Sequence, residues 1–148
     1  MNLEIKIMAA MKTAMKEKNK IELESLRAIK SQLLLLKTDG KTDGVSEEQE
    51  IALLQRLVKQ RKESAEQFKA NNRNDLADNE LAQAEVIQQF LPAQLSPEEL
   101  EAKLKEIIAQ TGAKDIKDLG KVMGTASAQL KGQAEGKLIS ETVRKLLT

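Results

Sequence analysis

Apolar positions recur along this chain at intervals of three and four residues, the spacing of one face of an α-helix. Leu3, Ile7, Met11, Ala14 and Met15 mark a first helix over about residues 3–18. The wholly polar stretch 16–20 predicts a turn at its end. Leu26, Ile29, Leu33 and Leu36 mark a second helix over about residues 22–37. Ser46 and Gln49 form a Ser-x-x-Gln box, a start signal, and the helix it opens should be the longest, running to about residue 70. Its inward stripe is Ile51, Leu54, Leu57, Val58, Ala65 and Phe68. Asn71 and Asn72 break the pattern, because Asn tolerates the left-handed conformation of helix ends. A fourth helix begins near Asn74 or Asp75, turns Leu81, Ala84, Ile87 and Leu91 inward, and stops before Pro92.

Residues 92–97 hold both prolines of the chain and read as a short, stiff junction. Ser96, Pro97 and Glu99 then supply an N-cap, a first-turn proline and the third residue of a capping box. The fifth helix turns Leu100, Leu104 and Ile107 inward and ends at Gly112. A sixth covers about residues 115–130, and a seventh about 135–147 through Leu138, Ile139, Val143 and Leu146. The expected class is all-α, with a domain of about four helices over 1–92 and a three-helix domain over 93–148.

Composition agrees with this class. Ala, Leu, Glu, Lys, Gln, Met and Arg make up 96 of 148 residues, mostly strong helix formers. Two Phe and no Trp or Tyr argue against sandwiches and barrels. Without Cys there are no disulfides, thiolate nucleophiles or thiolate-bound metals; without His there are no imidazole ligands or Ser-His-Asp triads. No catalytic residue, metal site or cofactor is expected. Glu4 and Lys6 interrupt the start where a secretory leader needs an unbroken apolar stretch. The longest such run, residues 33–36, falls far short of a membrane span. A soluble, cytoplasmic protein with no membrane association is the expectation.

Three stretches bear on chemistry. Asp39, Asp43, Gly44 and Glu50 fall at positions 1, 5, 6 and 12 of a calcium loop, but Lys41 stands where a ligand oxygen must point. Residues 38–45 therefore read as an exposed connector. Lys59-Gln60-Arg61-Lys62 is a basic run that fans around a helix, with Lys59–Glu63 and Lys62–Glu66 able to pair along a solvated face. In the tail, Gly120 and Gly124 share a helix face, and each lowers helix stability by about 1 kcal/mol relative to Ala. Either a neighbouring helix or a ligand backbone approaching closely accounts for such a pair. Residues 131–137 join the last two helices, and Gly132 and Gly136 leave backbone N–H groups accessible near a helix N-terminus, where phosphate binds. Lys121, Lys131 and Lys137 surround that turn as phosphate contacts, and residues 114–148 carry 7 basic against 4 acidic groups. Helix packing plus a turn is the competing reading of the same residues.

In their order and spacing, several of these stretches resemble the GatB/YqeY family, specifically its free-standing YqeY-like members. The matching residues are 59–64, Arg73-Asn74-Asp75-Leu76, Glu80 and Glu85, then 90–96, 120–124 and 132–137. Asn72, where the family often has Gly, and Phe90, where Tyr is common, depart mildly. The resemblance implies a helical N-terminal domain and a tail similar to the C-terminal domain of the tRNA-dependent amidotransferase B subunit. It points to tRNA as partner through Lys121, Lys131 and Lys137, with Gly120, Gly124, Gly132 and Gly136 permitting close approach.

The expected function is therefore that of a non-catalytic tRNA-binding accessory protein. A protein–protein adaptor docking on a tRNA synthetase or amidotransferase is the alternative. A family label of carbon–nitrogen ligase with glutamine as amido-N-donor gives the third reading, an amidotransferase subunit. Glutamine hydrolysis needs an activated nucleophile, and the amidotransferase's glutaminase belongs to a different subunit.

Overall fold

A computed structural model describes residues 2–38 and 44–148. Among them are seven α-helices, one 3-10 turn and no strand, which bears out the all-α class. The helices are α1 (Leu3–Glu17), α2 (Lys20–Thr38), α3 (Glu47–Ala70), α4 (Asn74–Gln88), α5 (Pro97–Thr111), α6 (Leu119–Gln129) and α7 (Gly136–Leu147). They gather into two compact units, Met1–Leu91 and Pro92–Thr148.

In the first unit, side chains and left-handed residues mark the helix boundaries, because no Gly or Pro is available within 45–91. Lys18, at φ 57°, ends α1, and its N–H returns to the carbonyls of Ala14 and Met15. Asn19 Oδ1 then accepts from the Glu22 N–H at 3.1 Å and so caps α2. Ser46 and Gln49 close the capping box of α3, the longest helix at 24 residues. Asn72, at φ 58°, turns the chain into α4. The apolar stripes meet in a core that fully buries Leu3, Ile7, Leu26, Ile29, Leu54 and Ile87.

Three details differ from the pattern expected of the sequence. Met15 is 60% exposed, since it sits about 100° around the helix from buried Ala14. Leu53 is buried although it lies outside the expected stripe of α3. The last regular turn of α4 ends at Gln88, and residues 89–91 continue as tighter turns, with Phe90 N–H bonded to Ile87 O at 3.1 Å. Asp39 and Asp43 of the rejected calcium loop lie outside the described residues. Glu50 instead serves the fold. Its buried carboxylate accepts from the Leu3 N–H at 2.8 Å, so α3 caps the start of α1.

In the second unit the capping box of Ser96 and Glu99 and the left-handed Gly112 bound α5. The sixth helix begins later than expected. Asp115 caps a 3-10 turn at Ile116–Asp118, its Oδ1 accepting from the Lys117 N–H at 2.9 Å, and α6 starts only at Leu119. Leu100, Leu104, Ile107, Val122, Ala126 and Val143 form the core of this unit. No helix among the described residues is long and apolar enough to cross a membrane.

Glu50 gives a direct test of how the first unit is held. Glu50→Ala strands a buried N–H and should lower stability by about 1–3 kcal/mol, while Glu50→Gln keeps an acceptor and should lose less. Urea unfolding midpoints of the two variants check the order.

Candidate nucleic-acid interface

Two helices of the second unit begin in the same unusual way. Leu119, Gly120 and Lys121 form the first turn of α6; Gly136, Lys137 and Leu138 form that of α7. Neither start has a side-chain cap bond, and neither first turn holds an acidic residue. By contrast, α1, α3 and α5 each have a side-chain cap and acidic residues in the first turn. The leading N–H groups of an α-helix have no partner within it and carry its positive dipole end. A lysine placed there adds positive charge where the dipole disfavours it. At α6 the preceding 3-10 turn already takes the Leu119 N–H through the Ile116 carbonyl, so the start of α7, behind Glu135, is the more open of the two to an anion.

The exposed face of α6 carries Gly120, Lys121 and Gly124, while Val122 and Ala126 point into the core. Apart from the backbone of its own helix, a Cβ on either glycine would meet nothing within 4 Å. The expected alternative of a neighbouring helix pressed against these glycines is thus absent among the described residues. Gly136 is exposed in the same way, with open space where a side chain would stand.

Gly132 differs from the other three. It is buried, at φ 75°, and its carbonyl accepts from Gln94 Nε2 at 2.7 Å. The adjacent Gln133 carbonyl accepts from the Leu95 N–H at 2.9 Å. Gly132 therefore shapes the turn and fastens the 94–95 segment instead of offering open backbone.

Lys121, Lys131 and Lys137 are all exposed. Lys131 and Lys137 flank the α6–α7 turn, whereas Lys121 stands at the other end of α6, about 15 Å from Lys131 along the helix axis. The local carboxylates are partly engaged. Asp118 accepts from the Lys114 N–H at 2.9 Å, and this bond holds its carboxyl below the usual range, with the charges of Lys121 and Lys114 adding to the effect. The Gly136-Lys137 start of α7 is legible in the sequence; its counterpart at α6 is not. Beginning the sixth helix at Asp115 places Gly120 and Lys121 in mid-helix, and only the 3-10 turn moves them into a first turn.

A family model described as "Yqey-like protein" matches residues 4–147. The chain belongs to the YqeY-like family. Relatives named "Altered inheritance of mitochondria protein 41, mitochondrial" are similar in sequence. The one from Pyrenophora tritici-repentis is 28% identical over 96% of this chain and 79% of its own length. Those from Clavispora lusitaniae and Meyerozyma guilliermondii are 35% and 29% identical, each over 71% of this chain. These two matches span only 62% and 56% of the relatives' lengths. The expectation of a cytoplasmic protein is corrected by these relatives, which are mitochondrial by name. The basis of that expectation, the polar Glu4 and Lys6 near the start, bears only on secretion, because mitochondrial import leaders are amphipathic.

Two outcomes follow from this geometry. Gly124→Ala should raise stability by about 1 kcal/mol, since its Cβ enters open space, whereas Gly132→Ala should lower it by about 1–2 kcal/mol through left-handed strain. Thermal unfolding of the two variants checks the opposite signs. Asp118 binds its proton less tightly folded than unfolded. Its stabilising effect should be complete above the ordinary carboxylate range and fade as pH falls through the lowered value. An NMR titration of the Asp118 carboxyl, against that of the unfolded chain, measures the shift.

Proposed function

We propose that this protein is a non-catalytic accessory protein that binds tRNA through the phosphate backbone, using the last two helices. The observation that carries the reading is the pair of Gly-Lys helix starts at α6 and α7, neither with a side-chain cap bond and each with open space over its glycine. Backbone N–H groups and lysines contact phosphate without reading sequence. The tail holds no aromatic residue, so stacking on unpaired bases has no platform and recognition rests on shape and backbone. The resemblance of this tail to the C-terminal domain of the amidotransferase B subunit supports the same partner. Net charge is only +1, so affinity should be modest and depend strongly on salt. The mitochondrial relatives support an organelle as the setting in which such relatives work.

A second reading has its own observation. Ile5, Met8 and Met15 on α1, with Leu34 and Leu35 on α2, are between 53% and 66% exposed. Apolar side chains displayed in this way favour an adaptor that docks on a synthetase or amidotransferase.

Filter binding of bulk tRNA at two salt concentrations tests the first reading. Replacing Lys121, Lys131 and Lys137 together by Gln should weaken binding and reduce the salt slope by about 0.7–0.9 for each lysine lost. Gly124→Ala should weaken binding while stabilising the fold. Binding that ignores salt, or that survives the triple substitution, would reject the proposal.

A further inference from the structure

The first unit holds a polar cleft that the RNA reading leaves unused. It lies between α3 and α4, has a volume of about 430 Å³, and is lined by Gln60, Arg61, Glu63, Ser64, Gln67 and Glu80. Its volume falls in the range of small-molecule sites. Five of these residues come from one stretch of α3, and Glu80 from α4 completes the wall. The basic run is expected to lie on a solvated face, yet Arg61 is partly buried. Its Nε is fully enclosed and has no hydrogen-bond partner. The ion pairs of the described residues, such as Arg73–Asp75 and Lys105–Glu101, form elsewhere.

We propose that this cleft binds a small zwitterion of the amino-acid type, its carboxylate on Arg61 and its ammonium between Glu63 and Glu80. The enclosed Nε lies out of a ligand's reach, but the terminal nitrogens of a guanidinium take a carboxylate through two parallel N–H bonds. Two carboxylates face the same space as one guanidinium, so a purely anionic ligand such as phosphate is repelled. A ligand that brings its own ammonium matches both signs. Gln60, Ser64 and Gln67 add neutral donors and acceptors, and every lining residue has a polar side chain. An α-amino acid with a neutral or basic side chain fits this set; an acidic one does not. The cleft lies in the unit that the RNA reading does not use, so either proposal can fail alone.

Amide NMR titrations of the full chain with L-lysine, L-glutamine, L-glutamate and inorganic phosphate, each to about 10 mM, test the inference. L-lysine and L-glutamine should give saturable shifts at residues 60–67 and at Glu80. L-glutamate and phosphate should bind at least about tenfold more weakly. Arg61→Lys loses the two-pronged geometry and should weaken L-lysine about tenfold. Glu80→Gln should bring L-glutamate to within a few-fold of L-lysine. The amide spectrum of each variant reports its folding. The inference is overturned if no amino acid gives saturable shifts, if phosphate binds more tightly than L-lysine, or if both variants keep the parent selectivity.

Discussion

Every α-helix starts with backbone N–H groups that its own carbonyls do not reach, and this chain satisfies them unevenly. At α1, α2, α3 and α5 the partners are built in: Asn2 and Glu50 for α1, Asn19 for α2, Ser46 for α3 and Ser96 for α5, whereas α4 has no side-chain cap but keeps Asp75 in its first turn. Acidic residues reinforce the dipole at these starts. At α6 and α7 both devices are absent, and a glycine followed by a lysine stands in their place. Cap satisfaction stabilises the scaffold; at α6 the 3-10 turn takes the Leu119 N–H through Ile116 O, while the start of α7 has no side-chain cap.

This contrast links stability to the proposed function. An acidic first turn at α6 or α7 would suit the dipole and repel phosphate, so the same substitution would strengthen the helix and weaken the interface. The glycines follow the same logic. Gly124 lowers helix propensity with no neighbour to explain it, while Gly132 is held by its left-handed turn and by Gln94. One glycine keeps a surface open, and the other keeps a turn in shape.

Local signals in the sequence carry most of the fold. The boxes at Ser46 and Ser96, the left-handed Asn72 and Gly112, and most apolar stripes stand where their spacing places them. What escapes depends on contacts between distant segments or on competing turn geometry. Glu50 caps a helix 47 residues away, which no local pattern records. Asp115 looks like an α-helix start but caps a 3-10 turn, and this shift brings Lys121 into a first turn. The basic run at 59–62 shows its polarity plainly, while the burial of Arg61 Nε depends on α4 packing beside it. The candidate lysines and glycines are visible as residues; their division into open, capping and turn-forming roles needs the structure.

The central claim is that tRNA is held at the Gly-Lys starts of α6 and α7. Lysine acetylation footprinting of the intact protein, with and without bulk tRNA at low salt, measures this residue by residue. The account predicts that tRNA shields Lys121, Lys131 and Lys137 and leaves Lys6, Lys12 and Lys16 on α1 as reactive as before. Equal reactivity of the tail lysines in both samples, or shielding confined to α1, would contradict it.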